Sequence, residues 1–235
     1  FNTGADPSYV LPQTTAIVAA FTTAPTAARK AIINTYVNKL VVSGIWDRID
    51  VLYAMAAADS QAARINWKNP GTFTLSVSGT PTFTADRGYT GNNSNGVLVT
   101  GYNPNSSSLG VSTTDCHASI FALSFDTSTD KGIGADNNAI GLRPRLGTLA
   151  TFNCADGSNT VATTGPAAVP FMGLVTRVAA ASGDKNYYVN GALDRNTAVA
   201  ATAAPSTIVL LANTQSSGFG DAQIAFASAG RGFNR

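Results

Sequence analysis

Between residues 25 and 44, apolar residues recur at the spacing of an amphipathic α-helix. Pro25 suits the first helical turn, and Gly44 ends the run. Thr22 or Thr23 can cap the start of the helix with its side-chain oxygen. The apolar stripe consists of Ala28, Ile32, Ile33, Tyr36, Val37, Leu40 and Val41.

A second stretch with helical spacing follows Gly44. Asp59 can cap a short further turn that runs to Arg64. The apolar face of the second stretch consists of Trp46, Ile49, Leu52, Tyr53 and Ala56. The pattern therefore predicts a helical segment over residues 25–68, folded as a helical hairpin.

Residues 1–24 show no clear period, and Gly4, Pro7 and Pro12 favour an extended N-terminal arm. Ordering such an arm costs about 1–2 kcal/mol of backbone entropy per residue. Its apolar residues are too sparse to build a core that offsets this cost: Phe1, Tyr9, Val10, Leu11, Ile17, Val18 and Phe21. We therefore expect a neighbouring chain to hold the arm, and the protein to form a homo-oligomer.

From residue 69 to residue 235 the pattern changes to short apolar runs between Gly, Asn and Asp turns. Phe73, Leu75 and Val77 alternate as in a half-buried strand. Asn190 and Gly191 give the clearest hairpin signal, because both residues tolerate a positive φ. Further strands are predicted at 97–100, 119–125, 139–142, 149–153, 171–179, 186–189, 192–195, 208–212 and 223–228. We expect a mainly β chain, in which an N-terminal helical segment precedes an antiparallel β-sandwich over residues 69–235.

Composition narrows the classes of function. Charged residues make up 12% of the 235 residues, the net charge is +2, and the chain contains no glutamate. The Lys and Arg residues are scattered rather than gathered in a stripe with aromatics, which argues against a nucleic-acid partner. No apolar run approaches the roughly 20 residues that span a bilayer, so no membrane partner is expected. No charged region precedes an apolar segment at the start, so no signal peptide is predicted.

Cys116 and Cys154 are the two cysteines of the chain. Two cysteines without a histidine cluster do not make a structural zinc site. Two interpretations stay open: a pair of buried free thiols, or a disulfide between neighbouring strands.

Catalytic residues are not apparent. His117 is the single histidine, and the chain contains no Gly-x-Ser-x-Gly elbow that would place a nucleophilic serine. Asp126 and Asp130 are the nearest candidate for a catalytic pair of carboxylates, but the residues between them are typical of a loop. The chain is therefore predicted not to be an enzyme, with a structural role for His117.

The sequence offers only loosely fitting candidates for ligand-binding residues. Sugar binding needs exposed aromatics beside polar groups, and the residues that fit loosely are Tyr89, Tyr102, Asn103, Arg143 and Arg145. No cofactor is predicted. Calcium is the minor alternative, through the loop oxygens of Asp126, Asp130, Asp136 and Asn137.

Residues 82–104 contain Thr-Ala-Asp-Arg-Gly-Tyr-Thr-Gly-Asn followed by Thr-Gly-Tyr-Asn-Pro. This signature, with residues 44–53 and 225–232, resembles bacteriophage and prophage structural proteins of tail or fibre type. Those proteins carry a concanavalin A-like (laminin G-like) jelly-roll domain. The resemblance covers most of the chain from about residue 26, and it implies that fold for residues 69–235.

The resemblance also implies a context: a non-enzymatic structural component on the exterior of a phage particle, in the tail, fibre, neck or head decoration. Its partners would be other virion proteins and further copies of itself, with a trimer favoured because phage fibres are commonly three-fold. The alternative is an adhesin that binds a bacterial surface glycan. A carbohydrate-active hydrolase is more remote, because hydrolases of this fold use Glu-x-Asp-x-Glu and the chain has no glutamate.

Overall fold

The structure is a computed structural model. It describes residues 10–107, 111–124, 132–135, 140–146, 149–155, 160–161, 169–178, 185–198, 206–212 and 214–233. None of the helices in these ranges is long and apolar enough to cross a membrane.

The described chain contains three α-helices, two short 3-10 turns and fifteen strands. The helices are α1 (Pro12–Ala19), α2 (Ala27–Val42) and α3 (Pro104–Ser107), and the 3-10 turns are Trp46–Arg48 and Ala62–Arg64. The strands are β1 (Ile49–Ala54), β2 (Ser76–Ser78), β3 (Thr82–Thr84), β4 (Gly88–Thr90), β5 (Val97–Val99), β6 (Asp115–Ser124), β7 (Ile133–Ala135), β8 (Ile140–Leu146), β9 (Leu149–Cys154), β10 (Thr160–Val161), β11 (Phe171–Val178), β12 (Lys185–Val189), β13 (Ala192–Thr197), β14 (Ile208–Leu210) and β15 (Gln223–Gly230).

Two antiparallel sheets form a sandwich, which confirms the predicted fold class. Sheet I has the eight-stranded order β13-β12-β11-β6-β15-β4-β3, with β1 also paired to β15. Sheet II has the seven-stranded order β10-β9-β8-β7-β14-β5-β2. The main core fills the space between the sheets, and a disulfide joins Cys116 of β6 to Cys154 of β9 with a Cα–Cα distance of 6.6 Å. Of the two interpretations of the cysteines, the structure therefore has the disulfide, which links sheet I to sheet II.

Helix α2 forms where its apolar stripe predicts a helix and buries Ile33 and Val37. Ile32 of the same stripe is exposed instead, and the cap also differs from the prediction. Thr26, rather than Thr22 or Thr23, accepts a hydrogen bond from the Arg29 amide at 3.3 Å. The chain leaves the helix through Gly44 with φ of 72°, a conformation that favours glycine.

The predicted second helix is wrong, because Ile49–Ala54 forms strand β1. This strand is covered on both faces: Val51 and Tyr53 lie in the main core, and Ile49 and Leu52 lie in a second cluster under the helices. A doubly buried strand has apolar residues on both sides, and here their spacing resembles that of a helix. The segment 25–68 therefore contains a strand of sheet I.

The predicted extended arm is also wrong over Pro12–Ala19, which forms α1. Ile17 is fully buried against Ile33 and Val37 of α2, and Asn34 accepts a hydrogen bond from the Leu11 amide at 2.9 Å. This helix therefore finds its cover within the same chain. The remainder of the arm, residues 1–9, lies outside the described residues.

Local strand signals have mixed outcomes. Asn190 and Gly191 have φ of 49° and 85° and connect β12 to β13, so the predicted hairpin is confirmed. The alternating strand through Phe73 is wrong at its start, because Phe73 has φ of 53° and β2 begins at Ser76.

Candidate functional site

A groove of about 630 Å³ crosses the face of sheet I that is turned away from the main core. The C-terminal half of α2 forms one wall through Tyr36 and Leu40, and Ser43 extends this wall just after the helix. Strands β11 and β12 form the opposite wall. The volume is within the range of small-molecule sites, which is about 300–1,000 Å³.

Alternation along β11 explains why this strand serves both the core and the groove. Phe171 and Val175 point into the main core, while Met172, Leu174 and Thr176 line the groove. Successive side chains of a strand point to opposite faces, so a single run of sequence supplies both surfaces.

The floor of the groove contains two serines on neighbouring strands. Ser119 of β6 pairs in register with Ser228 of β15, and their hydroxyl oxygens lie 2.6 Å apart. Ser228 Oγ also lies 3.1 Å from Nε2 of His117, whose Nδ1 lies 2.6 Å from the Arg231 carbonyl oxygen. Both serines line the groove, and His117 is fully buried behind them.

The donor and acceptor of each hydrogen bond in this series can be assigned by starting from the Arg231 carbonyl, at its buried end. The Arg231 carbonyl can only accept, so Nδ1 of His117 carries the proton and donates. Burial lowers the pKa of His117 to about 4, so the imidazole is neutral near pH 7 and Nε2 accepts from the Ser228 hydroxyl. The Ser228 proton is then committed, so Ser119 donates to Ser228. Both serine hydroxyl protons are therefore used in this series of hydrogen bonds. Lone pairs of the serine oxygens remain to accept a hydrogen bond from a ligand.

Aromatic side chains stand beside this polar floor. Tyr36 contacts Trp67 and Phe226 edge-on, with ring centroids 6.3 Å and 6.2 Å apart, and it remains 37% exposed. Burial raises the pKa of Tyr36 to about 12, so its hydroxyl keeps its proton. Tyr188 lines the opposite wall, and Phe233 packs 4.3 Å from the His117 ring.

Arg48 is the one charged side chain that lines the groove within the described part of the chain. Its Nη1 donates to the Gly232 carbonyl at 3.0 Å. The same nitrogen lies 3.9 Å from Asp115 Oδ1, at the limit of an ion pair. The side chain is 30% exposed, so its charge faces both solvent and the groove.

The tyrosines predicted from the sequence as sugar platforms are buried instead. Tyr89 is 3% exposed, and Tyr102 is fully buried with its hydroxyl 2.6 Å from Asp50 Oδ2. Both rings lie in the main core. Neither ring is therefore available to stack on a sugar, contrary to the prediction. Tyr89 points inward from β4, and Tyr102 is buried in the segment between β5 and α3.

The other predicted ligand residues lie in two different segments of the chain. Asn103 accepts a hydrogen bond from the Asn105 amide at 3.0 Å, where α3 begins. Arg143 and Arg145 lie on β8 of sheet II, and burial lowers the pKa of the half-buried Arg143. Neither Asn103 nor Arg143 lines the groove. A role in ligand binding stays a prediction for Asn103, Arg143 and Arg145.

The calcium candidates cannot be placed. Asp126, Asp130, Asp136 and Asn137 lie outside the described residues. Among the residues that the structure does describe, no group of three or more His, Cys or Asp side chains could hold a metal ion.

The sequence did not indicate that the groove residues form one site, because they come from distant parts of the chain, between Tyr36 and Phe233. A signal was present in the strands themselves. Ser119, Thr176 and Ser228 are polar residues in mainly apolar strands, and a polar residue at such a position often marks a functional face.

No known protein family matches the chain, and no curated protein sequence matches it. Solved structures do match. A Trypanosoma rangeli sialidase, in complex with 2-keto-3-deoxy-D-glycero-D-galacto-2,3-difluoro-nononic acid, aligns with a TM-score of 0.55 at 9% identity, over 80% of this chain and 31% of that chain. A mutant of the same sialidase that displays trans-sialidase activity aligns with a TM-score of 0.51 at 11% identity, over 88% and 38% of the two chains.

A third structure is domain 4 of an extracellular arabinanase from Geobacillus stearothermophilus, in complex with arabinotriose. It aligns with a TM-score of 0.48 at 14% identity, over 79% of this chain and 93% of that chain. The present chain spans about a third of the length of the sialidase chains that it matches. At these identities the two sialidase alignments show a shared β-sandwich fold.

Proposed function

We propose that this protein is a non-catalytic module that binds a saccharide in the groove on sheet I. The observation that carries the proposal is the floor of two serine hydroxyls between aromatic walls. Pockets that recognise small ligands combine apolar and aromatic walls with a few oriented polar groups. A saccharide ring matches such walls, because its C–H face can pack on an aromatic ring while its hydroxyls bond the floor.

The residues that line the groove support a binding role over a hydrolytic one. Glycoside hydrolysis ordinarily uses two carboxyl groups on either side of the scissile bond. No aspartate lines the groove within the described residues, and the chain contains no glutamate. The Ser228–His117 pair has the hydrogen bond of a nucleophile and its base, but a base with a pKa of about 4 is poorly matched to neutral pH.

The test combines a glycan array with titration of the strongest hits. Tyr188→Ala removes one aromatic wall, and a loss of about 2 kcal/mol, or roughly 30-fold in affinity, is expected for a central tyrosine. The control is Val77→Ala, which truncates an exposed side chain on sheet II. Absence of any glycan binding at millimolar ligand, or equal affinity of the Tyr188→Ala variant and the wild type, would overturn the proposal.

A structural role on the exterior of a phage particle is the second candidate, and it rests on the resemblance of residues 82–104 to phage structural proteins. The observation that favours it is that α2 carries two exposed apolar side chains, Ile32, which is 70% exposed, and Val42, which is 79% exposed. Exposed apolar side chains on one helix can serve to contact another copy or a second virion protein. Such a role is compatible with glycan binding, because these two residues do not line the groove.

Light scattering of the full chain tests the second candidate. A homo-oligomer, with a trimer favoured, is expected at micromolar concentration. Replacing Ile32 and Val42 together by lysine should dissociate it, whereas Val77→Lys on sheet II should not. A monomeric wild type, or an oligomer that the double variant leaves intact, would remove the physical basis for assembly through α2.

A further inference from the structure

We propose that the groove selects a saccharide that carries a carboxylate, with Arg48 binding the carboxylate and the Ser119–Ser228 floor accepting a hydroxyl proton from the sugar. This inference rests on the proposed glycan-binding function and names its ligand class. It depends on the position of one charge and on the direction of one chain of hydrogen bonds.

Arg48 supplies the positive charge. A guanidinium presents several donors in a planar fork that matches a carboxylate, and it has no acceptor. In the described part of the chain, its hydrogen bond goes from Nη1 to the Gly232 carbonyl. The other edge of the fork therefore remains for a ligand in the groove that the side chain lines.

Asp115 is the acid that faces Arg48, and its geometry leaves the arginine incompletely neutralised. Asp115 Oδ1 accepts a hydrogen bond from the Gly232 amide at 2.6 Å, which holds the carboxylate against the backbone. Its distance of 3.9 Å from Arg48 Nη1 is too long for a direct hydrogen bond. Both side chains are about one-third exposed, so solvent screens their attraction. A ligand carboxylate can therefore compete for the guanidinium, although Asp115 opposes it by repulsion.

The serine floor supplies the second half of the selectivity. The proton of Ser119 is used toward Ser228, and the proton of Ser228 is used toward His117. A ligand group above the floor therefore meets lone pairs, and it must donate a hydrogen bond to be bound. A sugar hydroxyl can donate in this way, whereas a ligand carboxylate cannot and is directed toward Arg48.

The experiment compares two acidic probes, oligomannuronate and oligosialic acid, with their carboxyl-reduced counterparts, by titration calorimetry at low and high salt. At least one acidic probe should bind, and its reduced form should bind about ten- to hundredfold more weakly, as expected for losing hydrogen bonds to a charged group. Arg48→Gln should cause the same loss for the acidic probe. Added salt should weaken the acidic probe selectively.

Two further variants test whether the effect comes from the charges at the groove. Asp115→Asn keeps the oxygen that accepts from the Gly232 amide but removes the competing charge, so it should strengthen acidic binding by up to about fivefold. Arg29→Gln is the matched control, because it removes an arginine that pairs with Asp86 outside the groove. Thermal melting of each variant separates loss of binding from loss of folding.

The outcomes separate this inference from the proposed function. If acidic and reduced probes bind equally, and Tyr188→Ala weakens both while Arg48→Gln weakens neither, the groove binds glycans but the carboxylate inference is wrong. If no glycan in the array or the probe set binds, both proposals fail. If Arg29→Gln reduces acidic binding as much as Arg48→Gln does, the effect belongs to net charge and the inference is overturned.

Discussion

We predict that the stability of the protein depends on pH through one residue, His117. The side chain is fully buried on sheet I and is the single histidine of the chain. Burial lowers its pKa to about 4, and the hydrogen bond to the Arg231 carbonyl opposes this effect only in part. The perturbation is acidification from about pH 8 to about pH 5, applied to the wild type and to His117→Asn. The asparagine amide can still donate to the Arg231 carbonyl, but it does not titrate.

The sign follows from the two states. In the unfolded chain the pKa of histidine is about 6.5, so between pH 6.5 and 4 the unfolded state binds the proton and the folded state does not. The contribution of His117 to the free energy of unfolding is therefore fully present above about pH 6.5, and it is lost as the pH falls toward 4. For pKa values of about 6.5 and about 4, the loss amounts to roughly 2 kcal/mol at about pH 5.

Urea unfolding at a series of pH values, followed by tryptophan fluorescence, measures the effect. The carboxylates titrate in both proteins, so subtracting the pH dependence of His117→Asn from that of the wild type isolates the histidine. A proton NMR titration of the single imidazole provides a direct check on the folded state. Parallel stability curves for the two proteins, or an imidazole that titrates near pH 6.5 in the folded protein, would refute the reasoning.

Two further predictions concern the framework of the sandwich. Replacing Cys116 and Cys154 together by alanine opens a loop with a sequence separation of 38 residues, which lowers the free energy of unfolding by about 4 kcal/mol in the chain-entropy treatment. The midpoint of urea unfolding should fall accordingly. A midpoint that neither the double variant nor a reductant changes would contradict the disulfide. Gly88→Ala should destabilise more than Gly101→Ala, because both glycines have positive φ but a Cβ at Gly88 would also meet the Ile224 carbonyl oxygen, while a Cβ at Gly101 meets no described atom within 4 Å. Thermal melting compares these two variants, and equal losses would show that backbone conformation alone decides the cost.

The sequence by itself determined the features that depend on neighbouring residues. The stripe of α2, its glycine exit at Gly44 and the turn at Asn190 and Gly191 are local, because capping, helical spacing and positive φ act within a few residues. The sum of many short strands and turns was enough to predict the β-sandwich. These signals survive folding because no distant contact opposes them.

The tertiary structure decided what depends on distant partners. Ile49–Ala54 becomes a strand because it pairs with Gln223–Gly230, and α1 is ordered because Ile17 finds cover on α2. The candidate site has the same origin, because Ser119 and Ser228 become neighbours only through the pairing of β6 with β15. Tyr89 and Tyr102 are likewise buried only by the core that the two sheets enclose. Burial is a property of the assembled sheets. The local sequence therefore predicts the turns, but it does not predict which polar and aromatic residues will face a ligand.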